Sequence, residues 1–189
     1  MTAIPRVKPW SGPALFSYGF RPFFLFGALH AALMVAVWVP WHAGWVALPI
    51  SFPPVAWHTH ELIFGYVLAV IAGFLLTAVP NWTGRLPLSG MPLVTQFSLW
   101  VAGRAAKALS SGLDPLALAW ITLLFPLALM LAVAREIIAG RNWRNLKVLV
   151  ILVVLTLSQT IFHWEILHDG HSIYGARIAL AAILMLIMI

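Results

Sequence analysis

Residues 57–79 read WHTHELIFGYVLAVIAGFLLTAV, and from Leu62 onward the 18 residues carry no charged side chain. A helix needs about 20 such residues to cross a hydrocarbon core about 30 Å thick. This stretch therefore predicts a membrane-spanning α-helix that opens on a polar His-x-His-Glu and turns apolar within one turn.

Working outward, comparable apolar runs occupy residues 23–41, 92–109, 115–134, 146–164 and 174–189. The chain of 189 residues is 62% hydrophobic and only 8% charged, against about 25% charged in ordinary soluble domains. The expected fold is all-α, a polytopic transmembrane bundle of about six spanning helices. Tryptophans support the count: Trp38, Trp41, Trp45, Trp57, Trp82, Trp120, Trp143 and Trp164 fall near the predicted span ends, where indole rings favour the headgroup level. The run at 92–109 is the least apolar, because Arg104 and Lys107 sit in its last turns and must either snorkel outward or face the bundle interior.

Residues 1–22 read as an N-terminal segment and 23–189 as the bundle. The basic, Pro-containing lead (Arg6, Lys8, Pro9, Pro13) lacks the short apolar core and small-residue cleavage site of a signal peptide, so the first span is read as retained. Alternate loops hold Arg6, Lys8, Arg21, Arg85, Arg135, Arg141, Arg144 and Lys147 with Glu136 as their one acid. The other side holds Arg104, Lys107 and Arg177 with Glu61, Asp114, Glu165 and Asp169. The positive-inside rule then puts the N-terminus in the cytoplasm. The net charge of +6 is membrane orientation, not a nucleic-acid patch. Cysteine is absent, which excludes thiolate sites and disulfides. Histidine and carboxylate must carry any metal chemistry.

Six of the seven histidines (His42, His58, His60, His163, His168, His171) fall at the outer span ends or in outer loops, and only His30 lies within a span. In the fifth span Thr156, Gln159, Thr160 and His163 stand at i, i+3, i+4 and i+7, one polar stripe on an apolar helix. The bland reading of the stripe is interhelical hydrogen bonding; its end, His163, reads equally as ligand or as hydrogen-bonded packing residue.

On a regular helix His58 and Glu61 share a face, whereas His60 is rotated about 200° from His58. One ion cannot take both unless the helix starts after them. His58 and His163 lie at similar depth on different helices, an arrangement suited to axial ligation of haem iron, with Glu61 able to orient a ligand imidazole. The competing reading is an interfacial polar cap on a helix start.

Gly65, Ala69 and Gly73 form a small-residue repeat that favours close helix packing. His168 and His171, around Asp169-Gly170, are a weaker copper or zinc candidate. His30 is a packing residue with a lesser claim as a ligand, and His42 an interfacial anchor. Arg177 is a candidate partner for a haem propionate or for Glu165. At 76–85, Pro80 is expected to stop the second span, with Asn81 and Gly84 supplying turn chemistry. No GxGxxG, P-loop, HExxH or GxSxG pattern occurs, so no catalytic motif is recognised.

Together, Gly19-Phe20-Arg21-Pro22-Phe23-Phe24, the Trp57-His58-Thr59-His60-Glu61 motif with Gly65 following, residues 72–85 (AGFLLTAVPNWTGR), Ala102-Gly103-Arg104 and Phe162-His163 resemble the NnrS family. That resemblance implies a bacterial inner-membrane protein that binds haem and copper and takes part in the response to nitric oxide and nitrosative stress. It also implies a chain about twice this length with about twelve spans, of which these residues are the N-terminal half. The candidate cofactor and metal residues are His58, His60, His163, Glu61 and Arg177, then His168, His171 and His30. Nitric oxide is the expected small ligand, the bilayer the expected surroundings. The alternatives are a membrane transporter, or a scaffold or assembly partner for respiratory or denitrification complexes.

Overall fold

A computed structural model describes residues 10–189, all helix and connecting turns with no strand among them. Arg6 and Lys8 of the basic lead lie outside the described residues. Helix α1 (Phe20–His42) buries only Pro22, Phe23, Gly27 and His30. The last three follow a spacing of three and four, so one narrow stripe faces inward. Leu25, Leu29 and Leu33 are exposed on the rest of its surface. An apolar exterior is what a bilayer-facing helix requires.

Helix α2 (Pro54–Thr83) is the central element. Of its most apolar window 61% is buried, against 28% for α1. Pro54 takes the first helical position, where its fixed φ is favourable and its missing N–H costs nothing. The helix therefore starts before the two histidines, and both lie inside it. Its residues Glu61–Val67 are π-helical, a local widening that recurs at functional sites.

Contrary to the sequence expectation, Pro80 does not stop α2: the helix runs through it to Thr83. One missing N–H removes one backbone bond, and neighbouring helices make that tolerable in membrane helices. The stop is Gly84, whose φ of +70° forms the left-handed cap that a Cβ would disfavour.

Four further helices follow: α3 (Met91–Ala108), α4 (Pro115–Ala139), α5 (Leu146–Asp169) and α6 (Tyr174–Ile187). Asp114 caps α4, its Oδ1 accepting from the backbone N–H groups of Leu116 and Ala117 at 3.0 Å each, with proline next in line at the first position. Glu165 of α5 reaches across to cap α6, accepting from the N–H groups of Tyr174 at 2.8 Å and Gly175 at 2.9 Å and from Ser172 Oγ at 2.6 Å. Helix α1 packs on α2, α3 on α4, α4 on α5 and α5 on α6, and α2 also contacts α4.

Among the described residues four helices are long and apolar enough to cross a membrane: Phe20–His42, Pro54–Thr83, Pro115–Ala139 and Trp143–Asp169. The remaining two fall short for different reasons. Helix α3 has 18 residues but carries Gln96, Arg104 and Lys107. Helix α6 has 14, a length of roughly 21 Å at about 1.5 Å per residue.

The small-residue repeat on α2 divides its labour. Ala69 is fully buried and faces Gly27 of α1, where an added Cβ would stand 3.4 Å from the Ala69 Cβ. A Cβ on Gly73 would meet the Phe24 ring at 2.6 Å. These two positions let α1 lie close, as the repeat suggests. Gly65 does something else.

Candidate functional site

Glu61 lies at the start of the π segment and is 1% exposed. A carboxylate at that depth is stable only with partners, and three converge on it from three helices. Arg104 of α3 donates from Nη1 to Oε1 at 2.8 Å. His60 donates from Nδ1 to the same oxygen at 3.0 Å. His30, from the inward stripe of α1, places Nε2 3.1 Å from Oε2.

Gly65 makes this convergence possible. A Cβ there would stand 2.6 Å from Arg104 Nη1 and 2.8 Å from His30 Nε2, so both side chains cross the backbone of α2 at the one residue that leaves room. Trp100, one turn before Arg104, donates its indole N–H to the Gly65 carbonyl at 2.9 Å inside the widened turn. Replacing it with phenylalanine, which removes this donor while the Leu68 N–H still reaches the carbonyl, should cost about 0.5–1.5 kcal/mol. Thermal unfolding of Trp100→Phe in detergent measures this, and an unchanged midpoint would remove Trp100 from the site.

Lys107 is fully buried on the same side of α3. Its Nζ has no hydrogen-bond partner among the described residues and stands 2.9 Å from the centroid of the Phe52 ring, an arrangement that recovers part of the desolvation cost through the ring quadrupole. Only Arg104 of these two pairs with the carboxylate; Lys107 lies against Phe52. Of the two fates open to Arg104 and Lys107 in the sequence, the structure takes the interior one.

His60 is 0% exposed. With Nδ1 engaged by Glu61, its Nε2 is left buried without a partner among the described residues. Its ring lies 5.1 Å from that of His163, at an interplanar angle of 69°, with Phe64, Phe162 and Phe52 packed around the pair. His163 is tied to α4 by a hydrogen bond of 2.9 Å between Nε2 and Thr122 Oγ1. Gln159 donates to the Thr122 carbonyl at 3.2 Å. So two members of the α5 polar stripe bond across helices, while Thr156 and Thr160 bond back to carbonyls of their own helix.

The structure brings His60, not His58, beside His163. His58 turns away from that pair and stacks on Trp38 of α1 at 4.0 Å, and His42 stacks on the same indole at 4.8 Å. His58 and His60 thus meet different helices, because the helix begins at Pro54 and both lie within it. His168 and His171 are exposed and do not converge: the Nδ1 atoms donate to the carbonyls of Trp164 at 2.9 Å and Asp169 at 2.8 Å, respectively. Arg177 forms no ion pair with Glu165 among the described residues, since that carboxylate is committed to capping α6.

What can the pair of imidazoles hold? A nitrogen oriented by a carboxylate through the far side of its ring is the usual second-shell arrangement of a metal-binding histidine, and His60 has it. The two rings stand 5.1 Å apart, edge to face and in contact, which leaves no space for a macrocycle between them. Among the described residues no three His or carboxylate side chains form a complete metal-binding group. Beside His163 a cavity of about 290 Å³, lined by Phe52, Ser110, Thr160, Trp164 and Leu167 among others, opens between α4 and α5.

Sequence reasoning missed Phe52, Trp100 and Thr122 as parts of the site. Neither Phe52 nor Thr122 had a readable signal, since each is an ordinary residue in an apolar context. Trp100 had one: it lies away from the predicted span ends, where most of the other tryptophans sit.

A protein-family model described as "NnrS protein" matches residues 14–189. No curated protein and no solved structure matches the chain.

Proposed function

Since the chain belongs to the NnrS family, a family of membrane proteins of the nitric oxide response, we propose that it acts in the bacterial inner membrane as a metal-binding component of that response, with His60 and His163 holding a copper-class ion. The observation that carries this reading is the His60 imidazole, fully buried, held through Nδ1 by Glu61 and left with an unpartnered Nε2 beside His163. Imidazole nitrogens suit copper.

In this reading Glu61 fixes the tautomer and direction of His60. Arg104 and His30 hold Glu61 in turn. Phe64 and Phe162 cover His60, whereas His163 borders the cavity. Copper, when bound, supplies one-electron redox chemistry. No role is assigned to haem at these two histidines, because their rings stand too close to admit it. The cavity beside His163 is small and mainly apolar, which suits an uncharged ligand such as nitric oxide better than an ion.

Metal analysis of purified protein tests the assignment. Copper should bind in the wild type, fall below half in His60→Ala and in His163→Ala, and stay unchanged in His58→Ala. Equal copper content in all four proteins sinks the ligand pair. A Soret band that disappears in both His60→Ala and His163→Ala would instead place haem at this pair and overturn the copper assignment.

A further inference from the structure

Thr122 of α4 is buried, and three polar contacts converge on it. Its carbonyl accepts from Gln159 Nε2 at 3.2 Å. Its hydroxyl oxygen lies 2.9 Å from the carbonyl oxygen of Ala119, one turn earlier in the same helix, and 2.9 Å from His163 Nε2 on α5. A hydroxyl has one proton to give and lone pairs with which to accept, whereas a carbonyl oxygen only accepts. The contact with Ala119 therefore claims the proton, and Oγ1 is left to accept from an N–H at His163 Nε2. Were the proton turned to His163 instead, two oxygens would oppose each other lone pair to lone pair at 2.9 Å, with one buried bond made where two can form.

Which nitrogen of an imidazole binds a metal is set by the hydrogen bond that the other one makes. A ring nitrogen that carries a proton has no lone pair for an ion, so Nε2 of His163 is withdrawn from coordination. Its Nδ1 makes no hydrogen bond among the described residues and is the nitrogen that keeps a lone pair. In His60 the order is reversed: Nδ1 is engaged by Glu61 and Nε2 is without a partner.

We infer that Thr122 is a positioning residue: it fixes His163 as the Nε2–H tautomer and so offers Nδ1 to the ion, opposite Nε2 of His60. The inference rests on the copper reading of the two histidines and adds the atoms by which they bind. Sequence spacing could not assign this role, because Thr122 meets His163 only when α4 packs on α5.

Metal-free full chain, labelled with nitrogen-15 in its histidines and reconstituted in bilayers, reports the tautomer directly by solid-state NMR. The His163 signals are those lost in His163→Ala. The wild type should show a protonated Nε2 and a bare Nδ1; the opposite tautomer overturns the inference whatever the metal does. Copper affinity, read by competition with a chelator, is the second measurement. Thr122→Val keeps the volume and the backbone bond to Gln159 while deleting the hydroxyl, and should weaken copper binding about 10–100-fold, the range for losing a group that orients a ligand. Thr122→Ser keeps the hydroxyl and should recover most of that loss. Unchanged affinity in Thr122→Val would mean that the hydroxyl orients nothing, and equal losses in Thr122→Val and Thr122→Ser that the site needs the shape of the side chain rather than its proton; either result overturns the inference. A wild type that binds no copper would instead sink the ligand pair, and the nitrogen signals alone would then decide the tautomer.

Discussion

Glu61→Gln should destabilise the protein by about 3–5 kcal/mol, the cost of breaking a buried ion pair from one side. The substitution is nearly isosteric, so little of that loss comes from packing. Glutamine can still accept from Arg104 and His60 through its one oxygen. Its amide nitrogen, however, is a donor pointed at His30, and the negative charge is gone. Arg104, whose side chain is 11% exposed, is then left inside the bundle without its anion. The largest part of the effect is that uncompensated positive charge.

A companion variant separates this from a generic core effect. Removing both partners, as Glu61→Gln/Arg104→Met, should recover part of the loss, because the charge stranded by the first change is deleted by the second. A positive coupling energy of about 1–3 kcal/mol is the expected result. Thermal or denaturant unfolding in one detergent measures all three variants. If Glu61→Gln unfolds within 1 kcal/mol of the wild type, close to the reach of an ordinary surface change, the carboxylate does not hold the site together.

Much of the bundle was legible because a bilayer writes itself into composition. A charge-free run of 18 residues after Glu61 has few other uses, and the six expected runs all became helices. Where one ends was less legible. Pro80 reads as a stop by local sterics, yet the helix passes through it and ends at Gly84, since burial of Val79 and Pro80 outweighs a single lost backbone bond. The π segment at Glu61–Val67 left no sequence signal, because its widening answers to side chains from α1 and α3.

For the site, depth was readable and direction was not. His58, His60, Glu61 and His163 lie at one level by simple counting along the spans. Helical geometry also showed that His58 and His60 face opposite ways. Which of them meets His163 depends on how α2 is rotated against α5, and that is fixed by Gly27, Ala69 and Gly73 where α1 packs. The same applies to Arg104 and Lys107. Their spacing puts them on one face, but only the packed bundle shows that the face is interior and that Arg104 reaches Glu61 of another helix.

Gly65→Ala carries the second large expectation, and its sign runs against local propensity. In a helix interior alanine is favoured over glycine by about 1 kcal/mol, so a position without tertiary constraint would gain stability. Here the new Cβ would stand 2.6 Å from the Arg104 guanidinium and 2.8 Å from the His30 imidazole. Ordinarily the ends of long side chains can swing aside. These two cannot do so freely, because each is directed at Glu61, and moving either one weakens a charged contact inside the bundle. Overpacking costs about 1–3 kcal/mol and a lost hydrogen bond to a charged group about 1.5–3 kcal/mol, so a net loss of about 1.5–5 kcal/mol remains after the propensity gain of about 1 kcal/mol. Gly27→Ala is the matched control. Its Cβ would meet Ala69 Cβ at 3.4 Å and Tyr66 at 3.8 Å, ordinary contacts, and it should be neutral or stabilising. Both glycines lie on helices at the α1–α2 contact, and they differ in whether a polar side chain crosses above them. Equal behaviour of the two alanine variants in thermal unfolding would therefore show that Gly65 serves packing alone; a loss confined to Gly65→Ala is the outcome expected of a residue kept small so that Arg104 and His30 can reach the carboxylate.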